Sequence, residues 1–195
     1  MKKFFTVLAA LFAAFAVSAS DNDQIIQTVT EYRLAAMGFD FEKALSLCTP
    51  DYVEYSADGT RRTVKDLQNM MQAFRTLESS NDLEVVLECA MKLQGATLSA
   101  AQRQQIRSVK GTPREAQTLA AVKQQLTALR TQMRNLRPSL MNMLKISAVT
   151  VNGNEATAIQ EFTEPGTGKK HVTRYKLRKS GNRWMICELR EENPA

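Results

Sequence analysis

Apolar residues return near a helical period through Ile25, Ile26, Val29, Tyr32, Leu34, Ala35 and Ala36, which predicts a helix opening at Asp21 or Asp23 and ending at Gly38. A short second helix over 40–48 is stopped by Thr49-Pro50, 52–56 alternates as a strand, and Asp58-Gly59 turns the chain. Thr63 with Asp66 three residues on is a capping signature. The helix it opens, over 64–77, sets Leu67, Met70, Met71 and Phe74 on one face. The stretch 83–93 fits either period, and Glu84, Glu88 and Lys92 on one helical face favour a helix.

Two further periodicities follow. A helix over 99–110 should end at Gly111, and Thr112-Pro113-Arg114-Glu115 supplies a cap, a proline at the first helical position and an acid three residues after the cap. Beyond it Leu119, Val122, Leu126, Leu129, Met133, Leu136, Leu140 and Met143 alternate spacings of three and four, a heptad seam in which Pro138 should kink or interrupt the helix. From there the period falls to two. Turns at Asn152-Gly153, Pro165-Gly166-Thr167-Gly168 and Ser180-Gly181-Asn182 separate strands over 145–151, 155–163, 169–179 and 183–190, which read as an antiparallel meander. The buried face of the last hairpin turns on whether its loop holds two or three residues.

Composition changes this picture mainly through charge. Over 195 residues the formal balance is +6, but the segments differ: 20–91 carries 6 basic and 13 acidic residues, 92–145 carries 10 and 1, and 146–195 carries 8 and 6. The basic, Gln-rich segment reads as a helical insertion, 82–144, in a single domain over 20–195. Ahead of that domain, Lys2 and Lys3 precede an uncharged stretch from Phe4 to Val17, and Val17-Ser18-Ala19 offers small residues at a cleavage site. This pattern is a secretory signal peptide over 1–19, cut near Ala19, and the mature protein is expected to be periplasmic or secreted. Two of Cys48, Cys89 and Cys187 can pair in such a compartment, or all three can be small buried hydrophobes, and no spacing selects between these.

The order helix, short helix, strand, helix, then a curved meander resembles the nuclear transport factor 2-like superfamily, with its SnoaL-like and ketosteroid-isomerase-type members. The resemblance is carried by Val29-Thr30-Glu31-Tyr32, by Asp40 to Pro50 leading into Asp51-Tyr52-Val53-Glu54-Tyr55, and by Tyr175-Lys176-Leu177-Arg178 with Arg183-Trp184-Met185-Ile186-Cys187-Glu188. It covers 20–77 and 146–190. It implies an α+β cone, N-terminal helices packed on a curved antiparallel sheet, with an apolar pocket at the open end and an inserted α-helical hairpin here. Tyr32 matches the oxyanion-stabilising tyrosine of the isomerases. The position of their catalytic aspartate falls on Ser56, whose hydroxyl is no base for a carbon-bound proton. Glu54, two residues earlier, is the candidate displaced base.

Other chemistries find little support in the residues. His171, the sole histidine, stands beside Lys169 and Lys170 without a nucleophile motif, the Met70-Met71 and Met141-x-Met143 pairs read as packing residues, and no glycine-rich phosphate loop is present. No cofactor or metal is therefore called. Three functions compete: an exported, non-catalytic domain binding a small apolar ligand or a protein, an isomerase- or hydrolase-type enzyme using Tyr32 and Glu54, and a dimerisation or envelope-attachment module. The first expects a pocket lined by Phe, Met and Trp184 with no convergent acid, and Tyr32, Tyr52, Glu54 and Ser56 as further ligand contacts, whereas the enzyme needs Tyr32 and Glu54 in one cavity. The third rests on the basic surface of Arg103, Arg107, Lys110, Arg114, Lys123, Arg130, Arg134 and Arg137, suited to an anionic envelope surface or a homodimer with an apolar stripe at Leu119, Leu126, Met133 and Leu140. Export and the lack of interleaved aromatics argue against nucleic acid. Attraction of the basic segment to the acidic one can also be satisfied within the chain.

Overall fold

A computed structural model describes residues 20–164 and 166–192; the signal-peptide reading of 1–19 lies outside them. Helix α1 (Asp21–Met37) starts where the Ser20 hydroxyl accepts from the Asp23 amide, and it buries Ile25, Val29, Tyr32, Leu34 and Ala35. The Asp40 side chain caps α2 (Phe41–Ser46). Strands β1 (Cys48–Tyr55) and β2 (Arg61–Thr63) form an antiparallel pair around the Asp58-Gly59 turn. β1 begins at Cys48, earlier than the alternation indicates and through Pro50. The proline is tolerated because β2 reaches only Val53, Glu54 and Tyr55, and the pairing with the other neighbour is irregular between Cys48 and Val53.

Asp66 accepts from the Thr63 amide at 2.7 Å at the start of α3 (Val64–Ser79). Three helices follow it: α4 (Leu83–Leu93), α5 (Ala100–Ser108) and α6 (Pro113–Met143). The meander then runs through β3 (Lys145–Asn152), β4 (Glu155–Thr163), β5 (Lys170–Ser180) and β6 (Arg183–Glu192). The six strands lie in the order β2-β1-β6-β5-β4-β3. β6 joins β1 in parallel, so the sheet is mixed rather than antiparallel throughout. The long return through helices and a meander supplies the crossover that a parallel pair requires.

Ser180 pairs with Arg183, giving the last hairpin a two-residue loop, Gly181-Asn182. That register turns Trp184 and Ile186 inward, and a bulge opposite Lys176 and Leu177 then restores Leu189 to the same face. The core forms where Ala158, Tyr175 and Ile186 of the curved, unclosed sheet meet Ile25, Val29 and Tyr32 of α1. The architecture is the α+β cone expected from the element order.

The segment 82–144 departs from a simple hairpin, having three helices. Only α4 contributes to the interior, with Leu83 and Val86 buried; α5 and α6 bury no residue. α6 runs on through Pro138 to Met143 without interruption; on this exposed helix the carbonyl that loses its N–H partner remains accessible to water. The seam of α6 also splits differently from expectation. Leu119, Leu126, Met133 and Leu140 are half-buried, while Leu129 (42%), Leu136 (41%) and Met143 (39%) are the exposed stripe. Met141 and Met143 are likewise solvent-facing rather than packed. Among the described residues, no helix is long and apolar enough to cross a membrane.

All three cysteines are free. Cys48 is buried and its Sγ donates to the Ala44 carbonyl at 3.3 Å. Burial, followed by the nearby Glu54 charge, pushes its thiol up to about 12.

Candidate functional site

α1 and β1 bring Tyr32 and Tyr52 together. Their rings tilt against each other with centroids 6.0 Å apart, and their hydroxyl oxygens are 2.5 Å apart. The Tyr52 hydroxyl donates to Glu54 Oε2 at 3.1 Å. Its one proton is thereby used, so the Tyr32 hydroxyl is the donor in the short contact. Arg62 closes the line, donating to Glu54 Oε1 at 2.9 Å and to Ser56 Oγ at 3.2 Å. Sequence reasoning missed Arg62, although a hairpin turning at Asp58-Gly59 sets it opposite Glu54.

This arrangement limits the chemistry. Tyr32 and Tyr52 are almost fully buried, and burial, the largest cause, raises both phenols and keeps them protonated. Glu54 has one oxygen on Tyr52 and the other in an ion pair with Arg62. Each Glu54 oxygen accepts one hydrogen bond, from Tyr52 or from Arg62, and keeps further lone-pair capacity. The sequence thus places Tyr32, Tyr52, Glu54 and Ser56 around one polar line. It forms a hydrogen-bonded network running from the buried tyrosines to the partly exposed Arg62.

Trp184 lies apart from that line. Its Nε1 donates to Asp21 at 2.9 Å, and Lys179 Nζ sits 5.4 Å from its ring centroid. Hydrogen bonds from Lys179 and Trp184 hold the Asp21 carboxyl below its usual range. Elsewhere in the core, Tyr175 donates to Gln160 Oε1 at 2.9 Å, while the Gln160 amide nitrogen is buried without a partner.

Half of the basic surface is neutralised within the chain. Arg103 contacts Glu84 and Glu88, Arg107 contacts Glu84 at 2.9 Å, Lys110 contacts Asp82 at 3.3 Å, and Arg130 contacts Glu78. Lys123 donates to Asn81 at 3.1 Å. These contacts hold α5 and α6 against α3, α4 and the turn between them. Among the described residues, Arg114, Arg134 and Arg137 form no ion pair.

A groove of about 700 Å³ lies between the α1–α2 corner, α3 and α6. Its apolar wall includes Leu34, Phe39, Phe41, Phe74, Met133 and Leu140. Phe39 stacks on Phe74 with centroids 5.5 Å apart and planes 11° from parallel, and the Arg130 guanidinium lies 4.4 Å from the Phe74 centroid. Phe39 is held at φ 59°, a left-handed backbone that a side chain disfavours. This groove differs from the expected pocket: it has Phe and Met side chains, but Trp184, Tyr32, Tyr52, Glu54 and Ser56 are not in its wall, and the carboxylates of Glu31, Asp40, Glu42 and Glu78 are. The groove was hidden from sequence because three separate segments, 31–43, 71–78 and 127–140, compose it. Among the described residues no cluster of His, Cys, Asp and Glu could hold a metal ion.

No protein-family model matches the chain, and no curated protein matches it. Solved structures do. An NTF2-like protein with a cystatin-like fold from Novosphingobium aromaticivorans is 14% identical, covering 96% of this chain and 88% of its own at a TM-score of 0.43. A protein with unknown function from Pectobacterium atrosepticum is 14% identical, covering 87% and 88% at 0.45. An NTF2-like protein from Cytophaga hutchinsonii is 8% identical, covering 89% and 98% at 0.43.

Proposed function

We propose that this protein is an exported, non-catalytic binding domain that takes a small apolar ligand in the groove between the α1–α2 corner, α3 and α6. Export is supported by Lys2 and Lys3, the uncharged stretch from Phe4 to Val17 and the small residues around Ala19. The observation that carries the binding reading is the contrast between two places. Tyr32, Tyr52 and Glu54 spend their polar groups on one another and on Arg62. The groove instead sets Phe39, Met71 and Met133 among charged side chains around about 700 Å³, within the ~300–1,000 Å³ typical of small-molecule sites.

The strained backbone of Phe39 supports the same reading. A left-handed residue other than glycine costs about 1–2 kcal/mol, and here it places an aromatic ring on the groove wall. Titration of the purified protein with the neutral fluorophore N-phenyl-1-naphthylamine tests the proposal. Saturable binding is expected, weakened about tenfold by Met133→Lys, which sets a charge against the apolar wall, and unchanged by Glu54→Gln. Absence of binding, or equal binding by Met133→Lys, overturns it.

A further inference from the structure

We infer that the groove is built for a single-chain amphiphile with an anionic head, such as a fatty acid, and that Arg134 and Arg137 clamp the head. The inference rests on the binding reading above and adds the ligand class. The charges around the groove carry it. Lys43 pairs with Glu31 at 2.8 Å, Arg75 pairs with Glu42 at 2.8 Å, and Arg130 pairs with Glu78. Asp40 is engaged as the cap of α2, accepting from the Lys43 amide at 3.0 Å. Three of the four carboxylates of the lining are thus ion-paired and Asp40 is held by a backbone amide; among the described residues Arg134 and Arg137 form no ion pair, so five cations of the lining face four carboxylates.

Their geometry suits one anion. Residues three apart on a helix are neighbours on its surface, with Cβ atoms about 5–6 Å apart, so the two guanidiniums can converge on one carboxylate, and each presents planar donors to it. Arg137 already acts on its surroundings, adding a smaller electrostatic contribution to the Lys43 and Gln27 hydrogen bonds that lower the Glu31 carboxyl. The same groove holds the apolar run formed by Met133, Leu140, Phe39 and Phe74. An acyl chain fits that run while its carboxylate meets the arginines. A neutral apolar ligand would leave the donors of the two exposed arginines to water, and a soluble inorganic anion would leave the Phe39 ring uncovered.

Calorimetric titration of the purified protein with decanoate and with 1-decanol reads the inference directly. The acid is expected to bind at least about tenfold more tightly, since a hydrogen bond to a charged group is worth a tenfold or larger factor. Arg134→Gln with Arg137→Gln should abolish the preference by lowering the affinity for decanoate to that for 1-decanol. Arg114→Gln, a basic residue of α6 outside the groove, should leave the preference unchanged. Equal binding of acid and alcohol, or a preference that survives the double substitution, overturns the inference while the neutral fluorophore still reports on the groove. Binding of decanoate only when presented in anionic phospholipid vesicles likewise overturns it, because it assigns the arginines to a membrane surface.

Discussion

The hydroxyl of Tyr32 meets the hydroxyl of Tyr52 at 2.5 Å inside the core, and Tyr52 in turn donates a hydrogen bond to Glu54. The direction of this chain makes the two tyrosines unequal. Tyr52 both accepts and donates, whereas Tyr32 only donates. Tyr52→Phe therefore strands the Tyr32 hydroxyl and leaves Glu54 with Arg62 alone, at a cost of about 1–3 kcal/mol. Tyr32→Phe should cost less. In urea unfolding, the double substitution should be less destabilising than the sum of the singles, because one shared bond is counted in both.

Phe39 tests the groove wall by its backbone. At φ 59°, glycine is the residue without penalty, so Phe39→Gly and Phe39→Ala lose the same ring but differ in strain. Phe39→Gly is expected to be about 1 kcal/mol more stable than Phe39→Ala in urea unfolding. Both should weaken N-phenyl-1-naphthylamine binding, since each removes the ring stacked on Phe74.

The pair Tyr175 and Gln160 is a second buried polar arrangement, with the amide nitrogen of Gln160 unanswered. Gln160→Leu alone strands the Tyr175 hydroxyl. Gln160→Leu with Tyr175→Phe removes both polar ends, and should be at least as stable as the parent protein in thermal unfolding. A double substitution less stable than Gln160→Leu alone contradicts this account.

Acid should unfold the protein through specific carboxylates. Hydrogen bonds from the Thr63 side chain and backbone hold Asp66 below its usual range, and the Lys43 hydrogen bond does so for Glu31. Each folded-state value lies below the unfolded one, so the unfolded chain binds more protons in that window. Their contributions are complete above the usual carboxylate range, near pH 4, and are lost as pH falls through the folded values. Thermal midpoints measured from pH 7 to pH 2.5 should be flat to about pH 4.5 and then fall, with a shallower fall in Asp66→Asn.

Local signals were legible where one segment decides its own structure. The Thr63 and Asp66 cap, the Pro113 helix start and the β4 limits all follow from short-range chemistry. The parallel junction of β1 with β6 was not, because it joins strands separated by the whole middle of the chain. Tyr32, Tyr52, Glu54 and Ser56 lie along one hydrogen-bonded line, while Trp184, grouped with them in the sequence reading, bonds Asp21 instead, and Arg62, which pairs with Glu54, comes from across the hairpin. For the basic segment, its cations were visible and their assignment was not. Which of them meet Glu78, Asp82, Glu84 or Glu88 depends on how α5 and α6 lie on α3 and α4. The left-handed Phe39 had no sequence signal at all, since the adjacent Gly38 is the residue expected to take that conformation.

Mapping amide chemical shifts during titration with N-phenyl-1-naphthylamine tests the central claim, that binding belongs to the groove and not to the tyrosine network. Saturable shifts are predicted within 34–43, 71–78 and 127–140, with β1 and β4 unmoved. Shifts centred on the amides of Tyr52, Glu54, Ala158 and Gln160 would place the ligand inside the cone and contradict the account.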